Sequence, residues 1–220
     1  MNRDSKTPTN TFSRLPLLQI GIIVALLLPA KRLIALGELF GNLDLVLFFY
    51  VCTLILAVGW LFISSRSLAH SLFGKFDWNY IVKGLLWGVG LFIVGSAGYA
   101  ANQIVFGLEQ PTETQLFTSG GISALFVIGI ILIGPILEEY IFRGLLLRYL
   151  LDKVSVFYAI IVSAGLFSIY HLSIFQLLPT FLWGIGFAFL AYRSKSLWPV
   201  LVAHLVVNSL GFALFFLFKS

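Results

Sequence analysis

The chain has 220 residues, of which 60% are hydrophobic and only 10% charged. A water-soluble domain carries about 25% charged residues, so water is excluded as the solvent for most of this surface, and one integral membrane domain is the economical reading. The net charge of +5 does not point to nucleic acid, because the basic residues cluster at the ends of apolar runs, the pattern of membrane orientation.

Residues 1–14 form a polar lead with Arg3, Lys6 and Arg14, expected to be a disordered cytoplasmic tail. The run Leu15–Ala30 that follows resembles a secretion signal but ends in Pro29-Ala30-Lys31-Arg32 without a clear small-x-small cleavage site. It reads better as an uncleaved first transmembrane helix. Further apolar runs cover Leu45–Ile63, Tyr80–Phe106, Ile122–Leu150, Val154–Leu172, Ile174–Tyr192 and Leu197–Phe218. A span needs about 20 residues, so the expected fold is an all-α, polytopic transmembrane bundle of about seven spans over residues 15–220. An even count of eight follows if Leu33–Phe40 or the fourth run divides differently. Gly134-Pro135 should kink or break that fourth run. Cys52 is the only cysteine, which excludes an internal disulfide and a cysteine-based metal cluster.

Loop charges set an expected orientation. Arg3, Lys6, Arg14, Arg66, Lys75, Lys153, Arg193 and Lys195 fall on one side when seven spans alternate, with Lys31-Arg32 the exception. The positive-inside rule then puts the N-terminus in the cytoplasm, with the plasma membrane as the expected location.

Charge inside the apolar runs is the anomaly. A charged side chain at a helix centre costs roughly 2.5–3.5 kcal/mol on insertion-type scales, yet the fourth run holds Glu138, Glu139 and Arg143. Glu139 and Arg143 are four apart and can pair along one helix face, whereas Glu138 is rotated by about 100° and need not share that bridge. A carboxylate left available in this way suits a general base. The cluster also has a plainer reading as interfacial charge near a helix end. Phe167 and His171 are four apart on a later run, as are His204 and Asn208. Taken singly, an intramembrane histidine or asparagine is often interhelical glue. Taken together, a carboxylate, two imidazoles and an amide are the parts for activating water and stabilising an oxyanion. Counting depth at about 1.5 Å per residue from the Lys153 and Arg193–Lys195 turns matches Glu138, His171 and Asn208 well and His204 less well. His70 reads as a solvated loop residue, and Asn102 as an ordinary interfacial one.

Three short patterns carry a resemblance. Glu138-Glu139-Tyr140-Ile141-Phe142-Arg143 resembles the E-E-x-x-x-R motif of the CPBP family (CAAX proteases and bacteriocin-processing enzymes, also called Abi). Phe167 to His171 resembles its F-x-x-x-H motif, and His204 to Asn208 its H-x-x-x-N motif, in the family's order within residues 121–218. The resemblance implies an intramembrane endopeptidase acting on a peptide or protein that is lipid-modified or membrane-inserted, with membrane lipids around it. It implies Glu138 as the base that activates water and His171 as a residue that binds that water or a metal. His204 and Asn208 would hold the oxyanion, with Glu139 and Arg143 supporting the site. Glu138, His171 and His204 could also ligate zinc, although a metal-independent mechanism uses the same residues. A non-catalytic immunity or scaffold protein, or a proton-coupled transporter, would use such buried polarity differently. Repeats of the kind many transporters show are absent from the sequence.

Overall fold

The computed structural model describes residues 76–107 and 127–217, with Cys52, Ile55, Leu56, Gly59 and residues 72–74 described individually. The described residues form five helices and no strand. Helix α1 is Trp78–Phe106. Helix α2 runs over residues 129–151 as four joined segments, Gly129–Ile133, Gly134–Glu139, Tyr140–Leu146 and Leu147–Leu151, of which the first and third are π-helical. Helices α3, α4 and α5 are Val156–Tyr170, Ile174–Ser194 and Trp198–Leu217.

Helix boundaries follow local chemistry. Asp77 is extended and its side chain accepts from the Asn79 N–H at 2.8 Å, starting α1. Gly107 ends that helix in the left-handed conformation, φ 61°, and its N–H reaches back to the Asn102 and Gln103 carbonyls. The α3–α4 turn comprises His171, Leu172 at φ 50° and the extended Ser173, close to the boundary expected at Leu172-Ser173.

Pro135 does not break α2. It lies in the first turn of Gly134–Glu139, where its missing N–H is tolerated, and the chain enters that turn from a π segment. The Gly134 N–H bonds the Gly129 carbonyl five residues back. We attribute the continuity to this wider turn, which leaves room for the pyrrolidine ring against the preceding turn.

Two of the described helices, α1 and α4, are long and apolar enough to cross a bilayer, while α3 and the Trp198–Leu214 part of α5 are shorter apolar helices. The fifth expected span shrinks to the 15 residues of α3, about 22 Å of helix. The run Leu15–Ala30, the segment Leu33–Phe40 and most of Leu45–Ile63 lie outside the described residues, as does His70. Val82, Leu86, Val89 and Ile93 leave an exposed apolar stripe on one face of α1, as Phe157, Tyr158, Val162, Leu166 and Ile169 leave exposed apolar surface on α3. Surface of this kind is at home in hydrocarbon.

Close approach of α1 to α5 depends on small residues. A Cβ on Gly84 would lie 2.5 Å from the Val202 Cβ, and one on Gly88 would lie 2.6 Å from the Val206 Cβ. Small residues let apolar helices approach without a solvent-driven force between them. Gly88→Ala should therefore cost about 1–3 kcal/mol through overpacking, whereas Gly90→Ala, which meets nothing within 4 Å, should be neutral. Chemical unfolding of the two variants in detergent checks the contrast.

Asn102 departs from its expected interfacial reading. It is only 3% exposed, and its Nδ2 donates to the Phe175 carbonyl at 2.7 Å. Pro179 lies inside α4 and has no N–H for the carbonyl four residues earlier, which is that of Phe175. The buried amide supplies the missing bond. Asn102→Leu leaves that carbonyl without its side-chain donor and should destabilise the protein by about 1–3 kcal/mol, measurable as a lower unfolding midpoint in detergent.

Candidate functional site

Helix α2 carries the acidic pair at the junction between its Gly134–Glu139 and Tyr140–Leu146 segments. Glu139 is 0% exposed and Arg143 1% exposed. Their spacing forms the expected bridge, with Arg143 Nη1 donating to Glu139 Oε1 at 3.0 Å. Arg143 Nη2 donates to the Gly184 carbonyl of α4 at 3.3 Å. Aromatic rings surround the guanidinium, whose Cζ lies 4.2 Å from the Phe167 ring centre, 5.2 Å from Phe187 and 5.9 Å from Phe142. A fully desolvated charge needs this density of partners, since a buried ion pair gains little net energy from attraction alone. Glu139 Oε2 and Arg143 Nε have no hydrogen-bond partner among the described residues.

His204 of α5 completes the cluster. Its Nδ1 lies 2.6 Å from Glu139 Oε1, the oxygen that also receives Arg143. A carboxylate paired with arginine is an acceptor, so Nδ1 carries the proton in this bond. In the neutral ring that tautomer gives Nε2 the lone pair, and Nε2 faces Glu138 Oε2 at 3.7 Å. The imidazole is clamped between rings, stacked on Phe187 at 4.7 Å and 21° and edge-on to Phe167 at 6.1 Å. Glu138 is the more accessible of the two acids, its side chain 15% exposed against 0% for Glu139. One glutamate is thus held by Arg143 and His204, and the other faces the orienting imidazole.

The depth count underplaced His204, which reaches both glutamates. We attribute part of the difference to the π-helical Tyr140–Leu146 segment. Its wider turns advance less per residue, bringing Glu138 nearer the Lys153 end than a uniform α-helix allows.

His171 ends α3 rather than lying within it. Its Nδ1 donates to the Phe167 carbonyl at 2.8 Å, which likewise leaves the Nε2 lone pair as the ring's acceptor. The Phe167 ring, 4.8 Å from the His171 ring and 6.1 Å from that of His204, lies against both imidazoles. Asn208 follows His204 by one turn of α5 and is half-buried.

The expected zinc set of Glu138, His171 and His204 fits in one respect and not in another. Both histidines have Nδ1 held by an oxygen acceptor, the arrangement that orients a metal-binding Nε2. Among the described residues, however, no three His, Cys, Asp or Glu side chains gather into a group that could hold a metal ion. As they stand, these three side chains do not form a closed zinc set.

Phe187 and Gly184 were not singled out by sequence reasoning. Both come from α4, the helix that carries none of the three motifs, and Phe187 is one of 22 phenylalanines. Its companion Phe167 was legible because it begins a motif.

The fold and site define an all-helical protein of membrane character with a carboxylate–arginine–histidine cluster buried between apolar helices. Residues 120–210, which contain all three motifs, match the family model described as Type II CAAX prenyl endopeptidase Rce1-like. The chain is also 34% identical over 131 residues to the Bacillus subtilis (strain 168) protein named "Putative membrane peptidase YdiL". That match covers 57% of this chain and 54% of the relative, so the chain spans about half the length of the curated relative it matches. Both likenesses support a CPBP/CAAX protease-type assignment for the motif-bearing part of the chain. No solved structure matches it.

Proposed function

We propose that this chain is an intramembrane endopeptidase in which Glu138 activates the hydrolytic water. The observation that carries the reading is the approach of Glu138 Oε2 to His204 Nε2 at 3.7 Å, with Glu139 behind His204 at 2.6 Å. That separation is long for a direct hydrogen bond and lets one water, at about 2.8 Å from each atom, donate to both. In the first step Glu138 takes a proton from the water as its oxygen attacks the scissile carbonyl. The carbonyl electrons move onto the oxyanion, and Glu138 then returns the proton to the departing amine. Asn208 and His204 are the groups proposed to receive the oxyanion. His204 serves there in its doubly protonated form, in which Nε2 is a donor. Arg143 keeps Glu139 in place.

The same reading takes the substrate to be a peptide or protein that is lipid-modified or membrane-inserted. It takes the chain as a multi-pass bundle of about seven spans in the plasma membrane with a cytoplasmic N-terminus, as the basic loops favour. Zinc at Glu138, His171 and His204 would require those three side chains to close on one another. Elemental analysis of the purified protein tests that closure, with one equivalent of zinc as its signature.

The test of hydrolysis uses the purified chain in liposomes with membrane-inserted reporter peptides in H₂¹⁸O. Cleavage that places ¹⁸O in the new carboxylate, and that Glu138→Ala abolishes while the protein stays folded, supports the assignment. Cleavage that persists in folded Glu138→Ala overturns the role of Glu138. A membrane phenotype that survives Glu138→Ala without any cleavage points instead to a scaffold.

A further inference from the structure

A second polar feature lies at the end of the bundle where α2 finishes and α4 turns into α5. There a pocket of about 430 Å³ is lined by Arg143, Arg148, Tyr192, Lys195 and Ser196, with four apolar side chains and no carboxylate. Arg148 and Lys195 are the cations this cavity offers a ligand, since the Arg143 side chain that lines its inner wall is fully buried against Glu139. Arg143 has Glu139 as its counter-ion, and its Nε has no partner among the described residues. Arg148 is half-buried and its Nη2 donates to the Leu72 carbonyl at 3.3 Å. Lys195 is exposed and makes no ion pair among the described residues.

Backbone geometry holds this arrangement in place. Arg143 and Arg148 are five apart, a separation that puts them on different faces of a regular α-helix. Both nevertheless line the cavity, Arg143 from the π-helical Tyr140–Leu146 segment and Arg148 from the α-helical turn after it. Lys195 occupies the left-handed position closing α4, at φ 52°. That position favours glycine, and a lysine there carries a conformational cost. A lysine held at this point against local preference places a cation at the pocket mouth.

Neighbouring residues indicate the depth. Trp198 packs against Phe73 and Phe76, and Phe76 against Trp78, with ring centres 5.2–5.4 Å apart. Trp78 and Tyr192 are exposed, and Arg193 and Lys153 are at nearby turns of the same end. Tryptophan and tyrosine mixed with arginine and lysine mark the headgroup level of a bilayer. At that depth the abundant anion is phosphate.

We propose that this pocket binds a phosphate group, supplied by the headgroup of an anionic phospholipid. Guanidinium groups receive phosphate oxygens through paired N–H donors, and the lysine adds a point charge. The proposal is independent of peptide hydrolysis, and its test needs no activity.

The test is thermal unfolding of the full chain in neutral detergent, titrated with short-chain phosphatidylglycerol, phosphatidylcholine or inorganic phosphate. Wild type should gain several degrees with phosphatidylglycerol and little with phosphatidylcholine. Lys195→Gly removes the charge while putting the favoured residue at the left-handed position, so its fold should be retained or strengthened. Its response to phosphatidylglycerol should fall at least by half, and Lys195→Arg should keep it. Equal shifts from both lipids, or an undiminished shift in Lys195→Gly, overturn the proposal. A shift from inorganic phosphate as large as that from phosphatidylglycerol keeps the phosphate site and overturns the lipid source. Stabilisation only by a peptide with a free C-terminal carboxylate overturns both.

Discussion

Glu138→Gln should lower the rate of peptide hydrolysis by roughly 10²–10⁴-fold, the range a positioned general base supplies. At about 1.36 kcal/mol per factor of ten, that is about 2.7–5.4 kcal/mol of transition-state stabilisation. The substitution keeps the shape and replaces a carboxylate oxygen facing His204 Nε2 with a group that cannot accept a proton from water. The fold should be little affected, because the carboxylate bonded to Arg143 at 3.0 Å is that of Glu139. Glu138→Asp should recover part of the rate, since it keeps the base and withdraws it by about one carbon–carbon bond length. Single-turnover rates with the substrate in excess lipid, together with unfolding midpoints, check the pair. A Glu138→Gln protein within tenfold of wild type, folded and pure, would remove Glu138 from the chemistry.

Much of that site was legible from spacing. Residues four apart on a helix meet, so Glu139 and Arg143 were expected to pair, and they do at 3.0 Å. The same geometry separated Glu138 from the bridge, and its 15% side-chain exposure against 0% for Glu139 agrees. Helix-to-helix placement was not legible. The depth count treated α2 as a uniform α-helix and missed its two π segments, whose hydrogen-bond shift leaves no mark in a run of apolar residues. Asn102 was misread for a related reason. Its partner is the Phe175 carbonyl, orphaned by Pro179, 73 positions along the chain and on another helix. Such a pairing exists only once α1 and α4 are packed together. Phe187 is the same lesson in apolar form. Its stacking on His204 at 4.7 Å depends on three helices converging, and no local pattern distinguishes it from its neighbours.

Arg143→Leu should be among the most destabilising single changes in the protein, costing about 3–5 kcal/mol, the range for removing one partner of a buried ion pair. The loss does not come from attraction forgone. It comes from Glu139, which is 0% exposed and would keep only His204 as a partner for its charge. The Gly184 carbonyl would also lose its arginine donor, and three aromatic rings would close on an aliphatic chain instead of a cation. Removing both charges reverses the logic. Glu139→Leu with Arg143→Leu leaves no uncompensated charge at the centre, so the double variant should regain most of the loss. Its stability measured by chemical unfolding should exceed that of Arg143→Leu by at least about 2 kcal/mol. A double variant no more stable than the single one would mean that the arginine acts by packing alone. In the recovered protein His204 has no carboxylate on Nδ1, so nothing fixes its tautomer or its aim at Glu138. That protein should be folded and nearly inactive, which separates the pair's cost to the fold from its service to the reaction.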